Sequence, residues 1–203
     1  LFFIFKLSLK KILFAFLITL ITISPYLARN KIIFDTITIT KSLGYNLWKG
    51  NNSNSKVEGS EYLDSNLQYK INQISKDKYY QINLDKIFLN QAIENILTEP
   101  TKYLFLFFKK LFSFLFIDFN SSQPKYYNPI HYLPILVLSF SSILGIYYSN
   151  KKSHELNYLI LIFLINIVIF SSFFILPRYK VAILPFQIIF TNILISHIYK
   201  KFR

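Results

Sequence analysis

Residues 156–176 read LNYLILIFLINIVIFSSFFIL and contain no charged side chain. A helix of about 20 apolar residues is long enough to cross the hydrocarbon core of a bilayer, which is about 30 Å thick. Residues 129–148 and 181–199 are apolar in the same way and lie on either side of this stretch. The sequence therefore predicts three transmembrane helices within residues 129–203.

The composition of the chain favours a membrane protein and argues against several other classes. Hydrophobic residues make up 53% of the chain and charged residues 16%, whereas soluble domains contain about 25% charged residues. Many of the lysines behind the net charge of +13 flank apolar segments, where they would meet lipid headgroups, so nucleic acid is not an expected partner. Cysteine is absent and the histidines are far apart in sequence, so no disulfide, thiolate nucleophile or metal site is predicted.

A further transmembrane helix is predicted near the start of the chain, in residues 1–28. Its apolar centre follows several lysines, and Pro25 is expected to bend or end the helix. A secretory signal peptide is the alternative, but Tyr26 stands where a small residue is preferred before Ala28. Because the chain begins with Leu1 rather than methionine, we expect it to continue upstream, and that upstream part is an expected partner.

Residues 29–128 form the polar part of the chain, since every acidic residue except Glu155 lies there. We interpret this part as an aqueous domain or long loop. Residues 33–40 are rich in β-branched side chains, which favours a strand, and residues 44–52 are turn-prone. Residues 77–99 carry apolar side chains at helical spacing, which predicts an amphipathic helix that ends before the following proline.

Residues 102–117 are predicted to form a helix that lies in the plane of the lipid headgroups. On a helical wheel Lys102, Lys109 and Ser113 nearly coincide and Lys110 lies beside them, whereas the rest of the surface is apolar. A helix at the membrane interface accommodates one such polar stripe. A spanning helix is the alternative, but it would place lysines near the bilayer centre at a large energetic cost unless they faced protein.

The basic residues next to the predicted helices set the orientation of the chain. If residues 102–117 do not cross the membrane, three basic clusters fall on one side, which the positive-inside rule makes cytoplasmic. Residues 29–128 and the turn at 177–180 are then extracytoplasmic. The predicted fold class is an α-helical integral membrane protein with about four transmembrane helices plus an extracytoplasmic loop domain with amphipathic helices. The three basic clusters are Lys6, Lys10 and Lys11; Lys151 and Lys152; and Lys200, Lys201 and Arg203.

The segment GYNLWKGNN, residues 44–52, combines the only tryptophan of the chain with glycines and asparagines. Aromatic faces stack on sugar rings, and side-chain amides form pairs of hydrogen bonds with hydroxyl groups. Asn46, Trp48, Asn51 and Asn52 are therefore candidate carbohydrate-binding residues. The alternative is a turn whose tryptophan is anchored at the membrane surface, where indole rings accumulate.

The segment PRYK, residues 177–180, connects two predicted transmembrane helices on the outer side. Arg178 and Lys180 lie there against the positive-inside rule, and arginine is rare in this lysine-rich chain. A guanidinium can hold a phosphate through two parallel hydrogen bonds, and Lys180 would add a second positive charge. The alternative is that both side chains reach lipid headgroups from a tight hairpin.

The order of these elements resembles bacterial membrane glycosyltransferases of the protein-mannosyltransferase and aminoarabinose-transferase superfamily. Residues 178–185, RYKVAILP, are similar to that family's Arg-Tyr-Arg-x-Pro-x-x-Pro stretch. Lys180 replaces the second arginine and Ala182 replaces the first proline. The other matching positions are residues 24–30, 37–40 and 44–52, which follow a membrane helix, and Ala92, Ile96, Pro100 and Lys110, which resemble the family's juxtamembrane helix pair.

The resemblance implies the carboxy-terminal part of a multi-helix enzyme of the bacterial inner membrane, which moves a sugar from a polyprenyl phosphate carrier to an acceptor on the extracytoplasmic face. The family's catalytic carboxylate lies in its first extracytoplasmic loop, so no residue here is assigned a catalytic role, and no cofactor or metal is identified. Membrane lipids and the polyprenyl-phosphate-linked sugar are the expected partners. The predicted substrate-binding residues are Arg29, Asn46, Trp48, Asn51, Asn52, Arg178, Tyr179 and Lys180.

A non-catalytic membrane component, such as a lipid-linked-sugar transporter or an assembly subunit, is the alternative function. Transporters usually place ionisable or helix-breaking residues near the bilayer midplane. The predicted transmembrane helices offer only Asn166, Gln187 and Asn192 as strongly polar side chains, which weighs against transport.

Labelling from the two sides of the membrane tests the predicted orientation. Reporters at Asn54 and Lys56 should react with impermeant reagents from outside the cytoplasm, and Lys152 should react only from the cytoplasmic side. The reason is that all three basic clusters indicate the same orientation of the chain. Equal reaction of Lys152 from outside would reverse the orientation.

Overall fold

The computed structural model describes residues 9–39, 41–122, 128–149 and 153–203. Within these ranges the chain is helical, and no strand occurs in them. Lys6, Thr40, Lys151 and Lys152, which entered the sequence-based predictions, lie outside the described residues. The helices are α1 (Leu9–Phe34), α2 (Leu43–Gly50), α3 (Ser65–Asn72), α4 (Tyr80–Thr98), α5 (Pro100–Leu115), α6 (Pro129–Tyr147), α7 (His154–Ser172), the 3₁₀ helix Pro177–Ala182 and α8 (Leu184–Phe202).

Three of the described helices, α1, α6 and α7, are long and apolar enough to cross a membrane. The prediction of a helical protein with membrane-spanning segments is confirmed to that extent. Helix α8 is as long as α6 and α7 but is not among the three, since polar side chains such as Gln187 and Asn192 interrupt its apolar sequence. A fourth span therefore remains a prediction.

Helix α1 continues through Pro25 to Phe34. The helix therefore does not end at this proline, which was one of the two effects expected of it. A proline has no N–H group and leaves the carbonyl four residues earlier without its usual donor. Here Ser24 Oγ donates to the Ile21 carbonyl at 2.9 Å. This is the carbonyl to which Pro25 cannot donate, because proline has no N–H group. The Ser24 hydroxyl therefore supplies the hydrogen bond that the Ile21 carbonyl lacks at this proline.

Residues 33–39 do not form the strand that their β-branched side chains favoured. Asp35 has a positive φ of 51°, and its carboxylate pairs with Lys31 Nζ at 2.5 Å. The chain turns back there, so that the Asn30 side-chain amide donates to the Thr38 carbonyl at 2.7 Å. A β-branched segment needs a neighbouring strand to form a ladder, and none lies among the described residues.

The chain divides into two compact units, and the division falls within α2 and α4. The first unit contains α1 and α3. It also contains α2 as far as Tyr45 and α4 as far as Gln91. In it, the Tyr45 backbone N–H donates to the Asp85 carboxylate at 3.0 Å. Helix α4 forms over residues 80–98 of the stretch 77–99 that was predicted to be an amphipathic helix, and it ends before Pro100 as expected.

The second unit contains α5 to α8 and the loop that follows α2. In it α6 packs along α8, and α5 packs against α7. Ser139 of α6 connects these pairs, because it donates to the Leu115 carbonyl at the end of α5 and accepts a hydrogen bond from Gln187 Nε2 of α8 at 3.1 Å. The core of the unit is formed by Val57, Phe114, Phe163, Ile167, Ile175, Ile183 and Phe190.

Gly145 allows α6 and α8 to approach each other closely. A Cβ atom at this position would lie 1.9 Å from the Phe190 carbonyl oxygen, which is far inside van der Waals contact. Small residues at such crossings are the usual means by which membrane helices bring their backbones together.

Substitution of Gly145 tests this packing. Gly145→Ala should destabilise the protein by about 1–3 kcal/mol, because the added carbon forces the two helices apart. Val137→Leu is the matched control, since it adds one carbon on an exposed position of the same helix. Thermal unfolding of both variants in lipid nanodiscs would measure the difference, and equal stability would show that α6 and α8 do not cross as described.

Candidate functional site

Lys110 of α5 has no exposed surface, although lysine is rarely buried. Its ammonium donates to the Gly50 carbonyl at 2.8 Å and to Asn51 Oδ1 at 3.1 Å. Gly50 is the last residue of α2, where carbonyls lack intrahelical donors and the helix dipole is negative. Burial disfavours the ammonium form and lowers the pKa of Lys110 to about 7. The two oxygens are the hydrogen-bond acceptors that take the place of water around the buried group.

Asn51 joins several parts of the second unit. Its side-chain Nδ2 donates to the Leu47 carbonyl at 2.8 Å and to the carbonyl of Ser172, the last residue of α7, at 3.0 Å. Its backbone carbonyl accepts a hydrogen bond from Asn95 Nδ2 at 3.0 Å. With Lys110 bound to Oδ1, the asparagine connects residues of α2, α4, α5 and α7.

Asn52 fixes the loop that follows. Its Nδ2 donates to the Ser60 carbonyl at 2.6 Å, and its Oδ1 accepts from the Asn54 backbone at 2.9 Å. The Ser60 backbone in turn donates to the Lys49 carbonyl at 2.8 Å. Residues 49–60 therefore form a closed loop held by its own side chains and backbone.

Trp48 lies in the interior of the protein and is only 2% exposed. The sequence-based hypothesis placed its indole at a surface where a sugar could stack on it, and in this structure its faces are covered by protein. Asn46 is partly exposed. Arg29 belongs to the first unit, where it is exposed and donates to Asn30 Oδ1 at 3.2 Å.

The side chain of Lys180 is directed into the protein. Its ammonium donates to the carbonyls of Ser113 at 2.5 Å, Phe114 at 2.9 Å and Phe116 at 2.5 Å. These carbonyls lie at the end of α5, which lacks intrahelical donors. Burial lowers the pKa of Lys180 to about 7, although the nearby Asp118 raises it. The lysine thus fastens the 3₁₀ helix to the end of α5.

Arg178, two residues earlier, is exposed. Its guanidinium carbon lies 5.6 Å from the centre of the Tyr179 ring. That ring is partly buried and lies 5.6 Å from the Phe170 ring and 5.8 Å from the Phe174 ring. The turn therefore holds Lys180 and Tyr179 against the protein and presents Arg178 at the surface, where it can bind an anion.

Helix α5 has an aromatic face that the described part of the chain leaves exposed. Leu104, Phe105, Phe108 and Phe112 lie on this face, and the ammonium of Lys109 lies 4.7 Å from the Phe105 ring centre. The sequence placed the lysines on one stripe, but the structure separates them, since Lys110 faces the interior whereas Lys102 and Lys109 are exposed. An exposed apolar face beside cations is typical of helices that lie on a membrane surface.

Most of the predicted binding residues lie in one unit, but their roles differ. Arg178 is exposed and Asn46 partly so, whereas Asn51, Asn52 and Lys180 are engaged within the protein. Their function in substrate binding stays a prediction. The contact between Lys110 and Asn51 was not predicted. Adjacent residues of a helix lie about 100° apart, so Lys109 can be exposed while Lys110 faces the interior. In the described part of the chain, no group of three potential ligands could hold a metal ion.

Replacement of Lys110 tests whether its buried contacts stabilise the loop. Lys110→Met should destabilise the protein by about 1.5–3 kcal/mol, because the Gly50 and Asn51 oxygens lose a charged donor in a buried place. Lys109→Met, on the exposed neighbour, should change stability by no more than about 0.5 kcal/mol. The fluorescence of Trp48, the only tryptophan, reports unfolding of this region, and equal midpoints for the two variants would contradict the prediction.

Comparison of the chain with protein-family models, with curated proteins and with solved structures gave no significant match.

Proposed function

We propose that this chain is the carboxy-terminal part of a glycosyltransferase that moves a sugar from a polyprenyl phosphate carrier to an acceptor on the extracytoplasmic face of a bacterial inner membrane. The observation that carries the proposal is the exposed guanidinium of Arg178, presented by a turn whose next residues are fixed in the protein. The resemblance of residues 178–185 to the glycosyltransferase stretch supplies the substrate class.

Arg178 suits the recognition of a lipid-linked phosphate. A guanidinium binds two phosphate oxygens at once through parallel hydrogen bonds, and it stays charged at any physiological pH. Positive charge near the departing phosphate stabilises the negative charge that develops as the sugar leaves. Because Lys180 is engaged with three carbonyls, the phosphate contact in this proposal falls on Arg178 alone, and Lys180 positions the turn.

The remaining predicted residues take different parts in the proposal. Asn51 and Asn52 hold the loop after α2, and Asn46 is the member of that segment with a partly exposed side chain. Trp48 would contact substrate only after a rearrangement of its surroundings. The resemblance assigns the general base that activates the acceptor to a carboxylate of the family's first extracytoplasmic loop, and none of the residues described above is proposed for that role.

The membrane placement is part of the same proposal. Helices α1, α6, α7 and α8 span the membrane, and α5 lies in the outer headgroup region with its aromatic face toward lipid. The exposed phenylalanines of α5 beside Lys102 and Lys109 support this placement. Residues 29–128 are then extracytoplasmic, on the same side as Arg178.

Binding of the carrier tests the proposal directly. Arg178→Lys should weaken binding of polyprenyl phosphate to the chain in nanodiscs by about tenfold to a hundredfold, because an ammonium cannot reproduce a bidentate contact worth about 1.5–3 kcal/mol. Arg203→Lys is the matched control, since this arginine is also exposed and follows the last residue of α8. Sugar transfer by the longer enzyme should fall in parallel.

Two results would contradict the proposal. Unchanged carrier binding by Arg178→Lys would mean that Arg178 contacts lipid headgroups in general, which lysine does as well as arginine. Flipping of a lipid-linked sugar across the membrane without transfer to any acceptor would instead support the transporter alternative.

A further inference from the structure

A small polar cavity of about 210 Å³ lies in the first unit, between the start of α2 and the first half of α4. Small-molecule sites usually have a volume of about 300 Å³ or more, so this cavity suits a group of a few heavy atoms rather than a whole cofactor. Its wall includes Lys41, Ser42, Tyr45, Gln81, Asp85 and Phe88.

Asp85 brings a buried carboxylate to this cavity, since the residue is only 9% exposed. Its Oδ1 accepts a hydrogen bond from the Tyr45 backbone N–H at 3.0 Å and so caps the start of α2. A cap of this kind needs only one oxygen. The carboxylate forms no other hydrogen bond and no ion pair with the described residues. Because a buried carboxylate is costly without donors, Oδ2 is suited to accept a hydrogen bond from a cationic ligand.

Lys41 brings the opposite charge to the same cavity. Its side chain is half-buried, and it forms no ion pair with Asp85 or with any other described residue. The other residues of the wall are uncharged. A cavity with one separate charge of each sign favours a molecule that itself carries both a positive and a negative group over a simple cation or anion.

The remaining wall favours a primary ammonium as the positive group. The Ser42 hydroxyl and the Gln81 side-chain carbonyl can each accept a hydrogen bond, and a primary ammonium has three N–H donors, whereas a quaternary ammonium has none. The rings of Tyr45 and Phe88 pack edge to face with their centres 5.3 Å apart, and aromatic rings attract cations through their faces. The ammonium is therefore expected beside Asp85, with the anionic group at Lys41.

The cavity lies near the polar end of α1. The Asn30 side chain donates to the Thr38 carbonyl at 2.7 Å, which places residue 38 beside the last part of this helix. Lys41 is three residues further along, so its Cα atom lies within about 11 Å of that of Thr38. In the membrane placement proposed above, this end of α1 lies at the outer headgroup level. Phospholipid headgroups are then the molecules that reach the cavity at the highest local concentration.

We propose that the cavity binds the phosphoethanolamine headgroup of a phospholipid, with its primary ammonium on Asp85 and its phosphate on Lys41. Free phosphoethanolamine has the same chemistry, and the membrane placement is the reason for choosing the lipid. The site lies within the first unit and does not include Arg178, so it does not depend on sugar transfer.

Lipid retention tests the proposal on the whole chain. The chain is placed in phosphatidylglycerol nanodiscs that contain equal amounts of phosphatidylethanolamine and phosphatidylcholine with the same acyl chains. Native mass spectrometry then counts the lipids that stay bound to the released protein. The ethanolamine lipid should be retained at least about tenfold more than the choline lipid, because only its ammonium can donate to Asp85. Equal retention of the two lipids would overturn the proposal.

Soluble phosphoethanolamine distinguishes the lipid from the free compound. In the same nanodiscs, it should displace the retained ethanolamine lipid only when present in large excess, since the lipid is already concentrated at the membrane surface. Complete displacement at a concentration equal to that of the lipid would show that the site takes the free compound and would overturn the assignment to a lipid.

Asp85→Asn removes the charge of the carboxylate but keeps an oxygen that can cap α2. The preference for the ethanolamine lipid should fall by about tenfold or more. Asp77→Asn is the matched control, since this exposed carboxylate also accepts a backbone N–H, from Tyr79 at 2.8 Å, and does not line the cavity. An unchanged preference in Asp85→Asn, or an equal fall in Asp77→Asn, would overturn the proposal.

Lys41→Gln tests the phosphate contact and decides the matter if Asp85→Asn loses its helical circular dichroism. Retention of the ethanolamine lipid should fall by about twofold to tenfold. Lys86→Gln is the matched control, because this lysine of α4 is exposed and does not line the cavity. Equal retention by these two variants would contradict the proposal. Arg178→Lys should retain the lipid as the unaltered chain does, so failure of the proposed sugar transfer leaves this result unchanged.

Discussion

The second unit depends on buried lysine ammonium groups that are satisfied by oxygens at helix ends. An ammonium buried without such partners costs many kcal/mol, so the surrounding oxygens have to be held in fixed positions. Lys110 meets this requirement at the end of α2 and on Asn51, and Lys180 meets it at the end of α5. Each lysine also donates hydrogen bonds to carbonyls at the end of a helix, which have no donor within the helix.

Helix α5 is consequently the element around which the candidate site is arranged. Its interior face carries Lys110 and receives the loop after α2, and its end receives Lys180 from the turn that presents Arg178. Its opposite face is aromatic and exposed. One helix therefore relates the buried lysine contacts, an exposed aromatic face and the turn that carries an exposed guanidinium within a single compact unit.

Much of the helical architecture was predictable because apolar runs and helical spacing are local properties of the chain. The apolar stretches at 129–148 and 156–176 became α6 and α7, and the amphipathic pattern in 77–99 became α4. The strand expected in residues 33–40 does not form over its described residues, and of the turn expected in residues 44–52 only residues 51 and 52 are outside α2. Residues 33–39 turn back through the hydrogen bond between Asn30 and Thr38, and in residues 44–52 contacts with residues distant in sequence, such as the bond from Tyr45 to Asp85, add to the local preference.

The sequence by itself determined that the chain is helical, has helices able to enter a membrane and carries rare arginines near apolar segments. Only the tertiary structure decided which polar side chains are available to a ligand. Trp48, Asn51 and Lys180 are enclosed, whereas Arg178 is exposed. The reason is that hydrophobicity and spacing depend on neighbours in sequence, whereas the direction of a lysine or an asparagine depends on carbonyls tens of residues away, such as those that Lys180 reaches on α5.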